Sequence, residues 1–344
     1  MAGAITGLKL TAIFYCFGLA FSALIGGYRK EKFLRLCSLA LGGTIGFLLT
    51  YAYWGWHLFA AHRNPFFPYY NNFFLSPDAL PNTFADERFR PDTLLDALLS
   101  PLHLLLRSNR FSELTLSDPR LLIGLLALLG LYALHHKQLP ALRNRIGILL
   151  VFFISSFLLW VVQYGIYRYV IVLELLGSLA LVVIVQWLPR WRNIALLVAA
   201  VLVSADTKRP NWGRVKSTAP MAGIRAPAIP GDSLVLIASG EPLAYLALGL
   251  PASVPLVAVS NNLMSPERCT QLQIRAQQMV SRHRGPVWLL SSDETGSEPG
   301  QSLILRYYGL QVAGACVAYT NSLAGAQLCP QRRIPTPSIA CPTP

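Results

Sequence analysis

The chain has 344 residues, of which 53% are hydrophobic and only 13% charged, with a formal net charge of +13. Soluble domains carry about 25% charged residues, so this composition, with a mean hydropathy of +0.45, points to a membrane protein. The positive charge does not point to nucleic acid, because Lys and Arg lie in short clusters between apolar runs and form no basic stripe interleaved with aromatics.

A membrane span needs about 20 mostly apolar residues. In chain order the candidate runs are Leu10–Tyr28 and Leu36–Ala61, both free of charge, then Leu121–Leu134, Ile146–Tyr167, Tyr169–Leu188 and the short Ile194–Ala205. The fifth run is interrupted by Glu174. The first connection carries Arg29, Lys30, Lys32 and Arg35, the third Lys137, Arg143 and Arg145, and the fifth Arg190 and Arg192. Cytoplasmic loops are the ones rich in Lys and Arg, so these connections are expected inside and both termini outside. Lys208, Arg209, Arg214 and Lys216 follow the sixth run and oppose that assignment unless the run fails to cross. The basic cluster follows the first run, where a cleaved signal would have it in front. An outer N-terminus that opens almost directly on an apolar run is expected of a chain lacking upstream spans.

The second connection, residues 62–119, holds seven acids and five arginines and is expected on the outer face. Within it, NPFFPYYN (64–71) cannot be a regular helix, because two prolines interrupt it. Rings alternating with amides at Tyr69, Tyr70 and Asn71 suit a wall for an amphipathic ligand, or a loop that only packs against the outer domain. DERFR (86–90) adds carboxylates and arginines, Arg88 among them, and residues 93–107 read as an amphipathic helix lying on the membrane.

From about Pro230 the composition changes. GDSLVLIAS, VPLVAVS and GPVWLLSS read as strands, and they alternate with helical stretches beginning at Pro242, at Ser265-Pro266-Glu267 and in QSLILRYYG. Strands alternating with helices predict a small parallel α/β sheet. The turn after the first strand lacks GxGxxG, so a dinucleotide site is not supported. Cys316 and Cys329 bracket a hairpin and would form a disulfide in an oxidising compartment, or remain two buried thiols. No Cys/His spacing matches a zinc site, and no cofactor is evident.

The expected architecture is therefore a polytopic α-helical membrane protein with about six transmembrane helices and a small C-terminal α/β domain. Residues 1–207 form the transmembrane domain with outer loop 62–119, residues 208–229 a linker, residues 230–333 an extracytoplasmic α/β domain and residues 334–344 a disordered tail. Glu174 is a functional candidate because a carboxylate within a span is costly, or else a structural group bonded to Arg168 or a neighbouring helix. Arg168, flanked by Tyr167 and Tyr169, is placed to hold a lipid phosphate or to anchor at the interface.

GLKLT, NPFFPYYN with DERFRPD, and YRYVIVLELLGSLAL, with the following RPNWGR, together resemble the GT-C superfamily of polytopic glycosyltransferases, which use polyprenyl-phosphate sugars. The resemblance covers most of the chain but only the rear part of a typical member. It implies a bacterial inner-membrane protein that moves a sugar from a polyprenyl-phosphate donor to an envelope glycan or lipid acceptor, and it allows a divalent metal. It maps the family's phosphate-binding arginine onto Arg168. The catalytic acid of the family's first outer loop has no counterpart before Leu10, so the catalytic residue is unassigned. The alternative is a non-catalytic membrane-anchored protein whose outer α/β domain binds an envelope component or partner.

Overall fold

The computed structural model describes the chain apart from residues 107–108, 114, 116, 136–139, 187–189, 207–222, 239–242, 262, 265–267, 293–306, 320–324, 336–340 and 342–344. The expected linker, the RPNWGR stretch, the helical start at Ser265–Glu267 and most of the QSLILRYYG segment fall largely on those residues. Two compact units result, one of Met1–Trp56 with Ala85–Trp212 and the other of His57–Phe84 with Gly213–Pro344. Residues 57–84, expected as the end of the second apolar run and the start of the outer loop of the first domain, belong to the second unit.

The first unit is helical: α1 (Ala2–Leu8), α2 (Ile13–Ala23) and α3 (Arg29–His62), whose last turns enter the second unit. The second unit contributes the short α4 (Asn71–Phe74), and the first unit resumes with α5 (Leu94–Leu105), α6 (Arg120–His135), α7 (Pro140–Gln163), α8 (Ile171–Val185) and α9 (Arg192–Asp206). Its core is built on Phe14, Leu121, Leu128, Phe153, Trp160 and Leu173.

The six-span arrangement is overturned. Among the described residues only two helices are long and apolar enough to cross a membrane, within α3 and α7, and the other apolar helices run 10–17 residues. The first and fifth runs exceed their helices because local backbone cuts them, whereas the runs in α6 and α9 are short in themselves. The run from Leu10 opens as a 3-10 turn over Leu10–Ala12, and its helix closes at Ala23 ahead of Gly26 and Gly27, both at positive φ. A 3-10 turn over Tyr167–Tyr169 likewise delays α8 to Ile171. α5 carries Pro101 and ends after 12 residues.

Helices α6 and α8 cross at a point where no side chain fits. A Cβ on Gly177 would stand 2.7 Å from the Gly124 Cα, and one on Gly124 would stand 2.5 Å from the Gly177 Cα. Two glycines let the backbones touch, and this brings the first turn of α6 level with the first turn of α8.

Among the described residues of the second unit six strands form one sheet: β1 (Leu234–Ala238), β2 (Leu256–Ser260), β3 (Val287–Ser292), β4 (Leu310–Val312), β5 (Val317–Ala318) and β6 (Ala326–Arg333). The order is β2-β1-β3-β6-β4, with β5 also on β6. The sheet is mixed, not parallel as expected: β1 pairs β2 and β3 in parallel, whereas β6 runs antiparallel to β3, β4 and β5. Every residue of β1 is buried, which explains its uninterrupted apolar run. α10 (Gln271–Arg282) is capped by Thr270, whose Oγ1 accepts from the Gln273 amide at 3.3 Å. Cys316 and Cys329 form a disulfide, and Cys269 bonds Cys341, a residue expected in a disordered tail.

Adding an isopropyl group at the α6–α8 crossing must separate the helices. Gly177→Val is expected to destabilise the first unit by about 1–3 kcal/mol, read as an earlier unfolding midpoint in a detergent titration, whereas Gly42→Val, with nothing within 4 Å, should leave the midpoint close to wild type.

Candidate functional site

The close α6–α8 crossing builds a charged cluster. Asp118 precedes α6 and Arg120 opens it, Tyr167 lies on the turn before α8, and Glu174 sits in the first turn of α8. Arg120 Nε donates to Asp118 Oδ1 and Oδ2, each at 2.9 Å, and Nη2 donates to Asp118 Oδ2 and, at 3.1 Å, to the Tyr167 hydroxyl. The Tyr167 hydroxyl in turn donates to Asp118 Oδ2. Arg120 Nη2 also lies 3.4 Å from Glu174 Oε2. The Asp118 and Glu174 side chains are 1% and 8% exposed, and Glu174 Oε1 has no hydrogen-bond partner among the described residues. Burial, joined by the charges of Glu174 and Asp118, pushes the Tyr167 phenol well above its ordinary range, so Tyr167 stays a neutral donor.

The turn carrying Tyr167 is fixed from several sides. Gly165 adopts φ +63° and passes so near the Phe89 carbonyl that a Cβ there would overlap it. The Trp160 indole donates to Ile166 O at 2.8 Å, and the Tyr167 amide donates to Phe111 O at 2.8 Å. The residues after Tyr167 turn outward. Arg168 and Tyr169 line a cavity of about 400 Å³ together with Lys9, Tyr15, Ile171 and Val172. The remaining lining side chains are mainly apolar and come from residues 1–19 and Phe152.

The rim of this groove is cationic. Lys9 Nζ lies 4.7 Å from the centre of the Tyr169 ring, and the Arg168 guanidinium carbon 5.6 Å from the same centre. One ring therefore gathers two exposed cations by cation–π attraction. Arg168 is 56% exposed and its Nη1 is 3.5 Å from Glu113 Oε1, a loose surface pair. Tyr15 donates its hydroxyl to Tyr169 O at 2.7 Å and fixes the ring's backbone from behind.

The structure thus brings Arg168, Tyr167 and Glu174 to one turn and its neighbouring helix. Arg88 is in the same unit, but its guanidinium is spent on Asp86, with Nε to Oδ1 at 2.9 Å and Nη2 to Oδ2 at 2.7 Å. These bonds hold the Asp86 carboxyl below its ordinary range. Tyr69 and Tyr70 are half exposed in the second unit. Asn71 is fully buried: its Nδ2 donates to Ser76 O, Ala79 O and Leu80 O, each at 3.0 Å, and Oδ1 accepts from the Ser76 amide at 2.8 Å. That amide shapes its own loop and offers nothing to a ligand.

Sequence reading missed Asp118, Arg120 and Lys9. Asp-Pro-Arg ahead of an apolar run looks like an ordinary helix start, though two opposite charges next to a run facing Glu174 were a usable signal. Among the described residues no three His, Cys, Asp or Glu side chains converge to hold a metal ion, so these residues offer no ligand set for the divalent metal that the resemblance allows. Compared with known proteins, the chain matches no family model, no curated protein and no solved structure.

Removing Asp118 takes away the acceptor of the Arg120 and Tyr167 donors but leaves Arg120, 36% exposed, beside Glu174. Asp118→Ala is expected to cost about 2–3 kcal/mol, and Tyr167→Phe, which deletes one hydroxyl, about 1–2 kcal/mol. Unfolding midpoints of the two purified variants check both the order and the gap.

Proposed function

We propose that the groove holds a polyprenyl-phosphate-linked sugar and that the chain serves transfer of that sugar to a cell-envelope acceptor. The observation that carries this reading is the pairing of an apolar cavity with two cations gathered on one ring at its rim. An isoprenoid tail suits the apolar lining, and a phosphodiester suits Lys9 and Arg168, whose guanidinium offers a fork of donors. The resemblance of YRYVIVLELLGSLAL to the GT-C superfamily agrees with a phosphate role for Arg168. Tyr167, Asp118, Arg120 and Glu174 are positioning residues in this reading, since they act on the groove through the turn.

A bacterial inner-membrane location fits the same features. α3 begins with Arg29, Lys30, Lys32 and Arg35 and ends among Tyr51, Tyr53, Trp54 and Trp56, and its apolar window is unburied. A basic inner end and an aromatic outer end are what a span presents, and α3 would then deliver the chain to the outer face at His62. Both disulfides lie in the second unit and the two free cysteines, Cys16 and Cys37, in the first, which supports an oxidising, extracytoplasmic setting for the second unit.

One observation favours a second reading, a non-catalytic binder of the same carrier lipid: no carboxylate among the described residues lines the groove.

Native mass spectrometry of the detergent-solubilised chain against an undecaprenyl phosphate series tests the site. Undecaprenyl phosphate should bind, and undecaprenol should bind at least about tenfold more weakly, as expected for the loss of charge-assisted bonds. Lys9→Ala and Arg168→Ala should each weaken the phosphate form by a similar factor and leave undecaprenol unchanged. Equal affinity for the alcohol and the phosphate would remove the proposal. Incubation with undecaprenyl-phosphate hexoses and release of undecaprenyl phosphate separates the transferase from the binder.

A further inference from the structure

The second unit contains a pair of side chains that the groove does not use. His62 is the last residue of α3, and its ring stacks on Phe67 with centroids 4.1 Å apart and planes at 13°. Its Nδ1 stands 2.8 Å from Asp78 Oδ2. The Asp78 side chain is 2% exposed, and Oδ1 has no hydrogen bond among the described residues, although the Arg275 guanidinium lies 3.4 Å away. An ionised carboxylate only accepts hydrogen bonds. Nδ1 must therefore carry the hydrogen, and in the neutral ring Nε2 is left as the acceptor.

The surroundings keep this ring fixed and reachable. Phe67 blocks one face, Asp78 fixes the edge, and the His62 side chain remains 23% exposed. Asn64, two residues on, donates from Nδ2 to Tyr69 O at 3.0 Å and accepts from the Phe66 amide at 2.8 Å. The chain is thereby folded back, so that Tyr69 returns beside the end of α3, with Tyr70 next to it; the two rings are 49% and 45% exposed. Arg275, on α10, has a side chain 57% exposed. The Gln271 amide donates to Pro77 O at 2.9 Å, which fastens the start of α10 to the loop that carries Asp78.

We propose that His62 and Asp78 form a binding dyad for the hydroxyl groups of a saccharide. A hydroxyl donates to His62 Nε2, the Arg275 guanidinium donates to a neighbouring sugar oxygen, and the half-exposed tyrosines meet the apolar faces of the ring. The charge pattern selects this class. An anion would face the Nε2 lone pair with a buried carboxylate behind it, whereas a hydroxyl finds an acceptor already oriented. The Asp78 carboxylate is a positioning group, since it acts through the tautomer it imposes. The site lies wholly within the second unit and is independent of the reading of the groove.

The test uses the full chain with ¹⁵N-labelled histidine in a sugar-free detergent, titrated with the methyl glycosides of glucose, mannose, galactose and N-acetylglucosamine. The imidazole resonances should show the hydrogen on Nδ1 of His62, and at least one glycoside should shift the Nε2 resonance. Asp78→Asn can donate to Nδ1 and so move the ring hydrogen to Nε2. It should weaken that glycoside by roughly tenfold or more, the value of one polar contact made to an oriented group. His62→Gln, which keeps an acceptor oxygen, should bind better than His62→Phe. A wild-type resonance with the hydrogen on Nε2 would overturn the proposal, as would four glycosides without effect or binding unchanged in Asp78→Asn. The wild-type titration decides the matter even if Asp78→Asn unfolds the unit.

Discussion

Much of the first unit depends on a single guanidinium. Arg120 faces two buried carboxylates and a phenol, and no other cation is paired with Asp118 or Glu174 among the described residues. A buried carboxylate without its partner costs several kcal/mol, so the helices carrying these groups cannot drift apart independently. The geometry that lets one side chain serve both acids comes from the Gly124–Gly177 contact, where the two backbones meet. The chain of causes runs from two absent side chains, through a helix crossing, to a charge network.

That network sets the turn on which the groove rests. Tyr167 faces inward and is neutral, held by Asp118 and Arg120, while Arg168 and Tyr169 face the cavity. Adjacent residues of one 3-10 turn thus serve opposite environments, and fixing the inner one fixes the outer pair. The rim cations need that rigidity: Lys9 and Arg168 carry like charge, and attraction of both to one tyrosine ring offsets part of their repulsion. Glu113, 3.5 Å from the Arg168 guanidinium, offsets a further part.

The sequence made some of this legible. Uninterrupted apolar residues marked β1, and the alternation of strands and helices marked an α/β unit. It misjudged the helices because apolar composition does not report backbone breaks: Gly26, Gly27 and the Tyr167–Tyr169 turn contribute apolar or aromatic residues to a hydropathy window and end a helix all the same. The mixed sheet was hidden because β6 includes Pro330, Gln331, Arg332 and Arg333, a polar stretch that reads as a loop. Cys269 and Cys341 stand 72 residues apart, and no local pattern pairs cysteines at that distance. Arg168, Tyr167 and Glu174 were visible as charge and aromatic character where neither is cheap, but Asp118 and Arg120 resembled a helix cap.

The loop from His62 to Phe84 shows how a buried polar side chain that serves folding differs from one that serves a ligand. Asn71 and Asp78 lie seven residues apart and are equally hidden. Each polar atom of Asn71 meets a backbone group of its own loop, so its amide substitutes for secondary structure that two prolines forbid. Asp78 directs one oxygen at a partly exposed histidine and leaves the other without a hydrogen bond. A carboxylate kept only for the loop would find amide donors, as Asn71 finds its acceptors, whereas Asp78 Oδ1 meets only the Arg275 guanidinium, 3.4 Å away and without a hydrogen bond. Asp78 thus holds an exposed guanidinium and a reachable imidazole on its two oxygens, and that arrangement marks His62, rather than the amides beside it, as the point where a ligand would meet this segment.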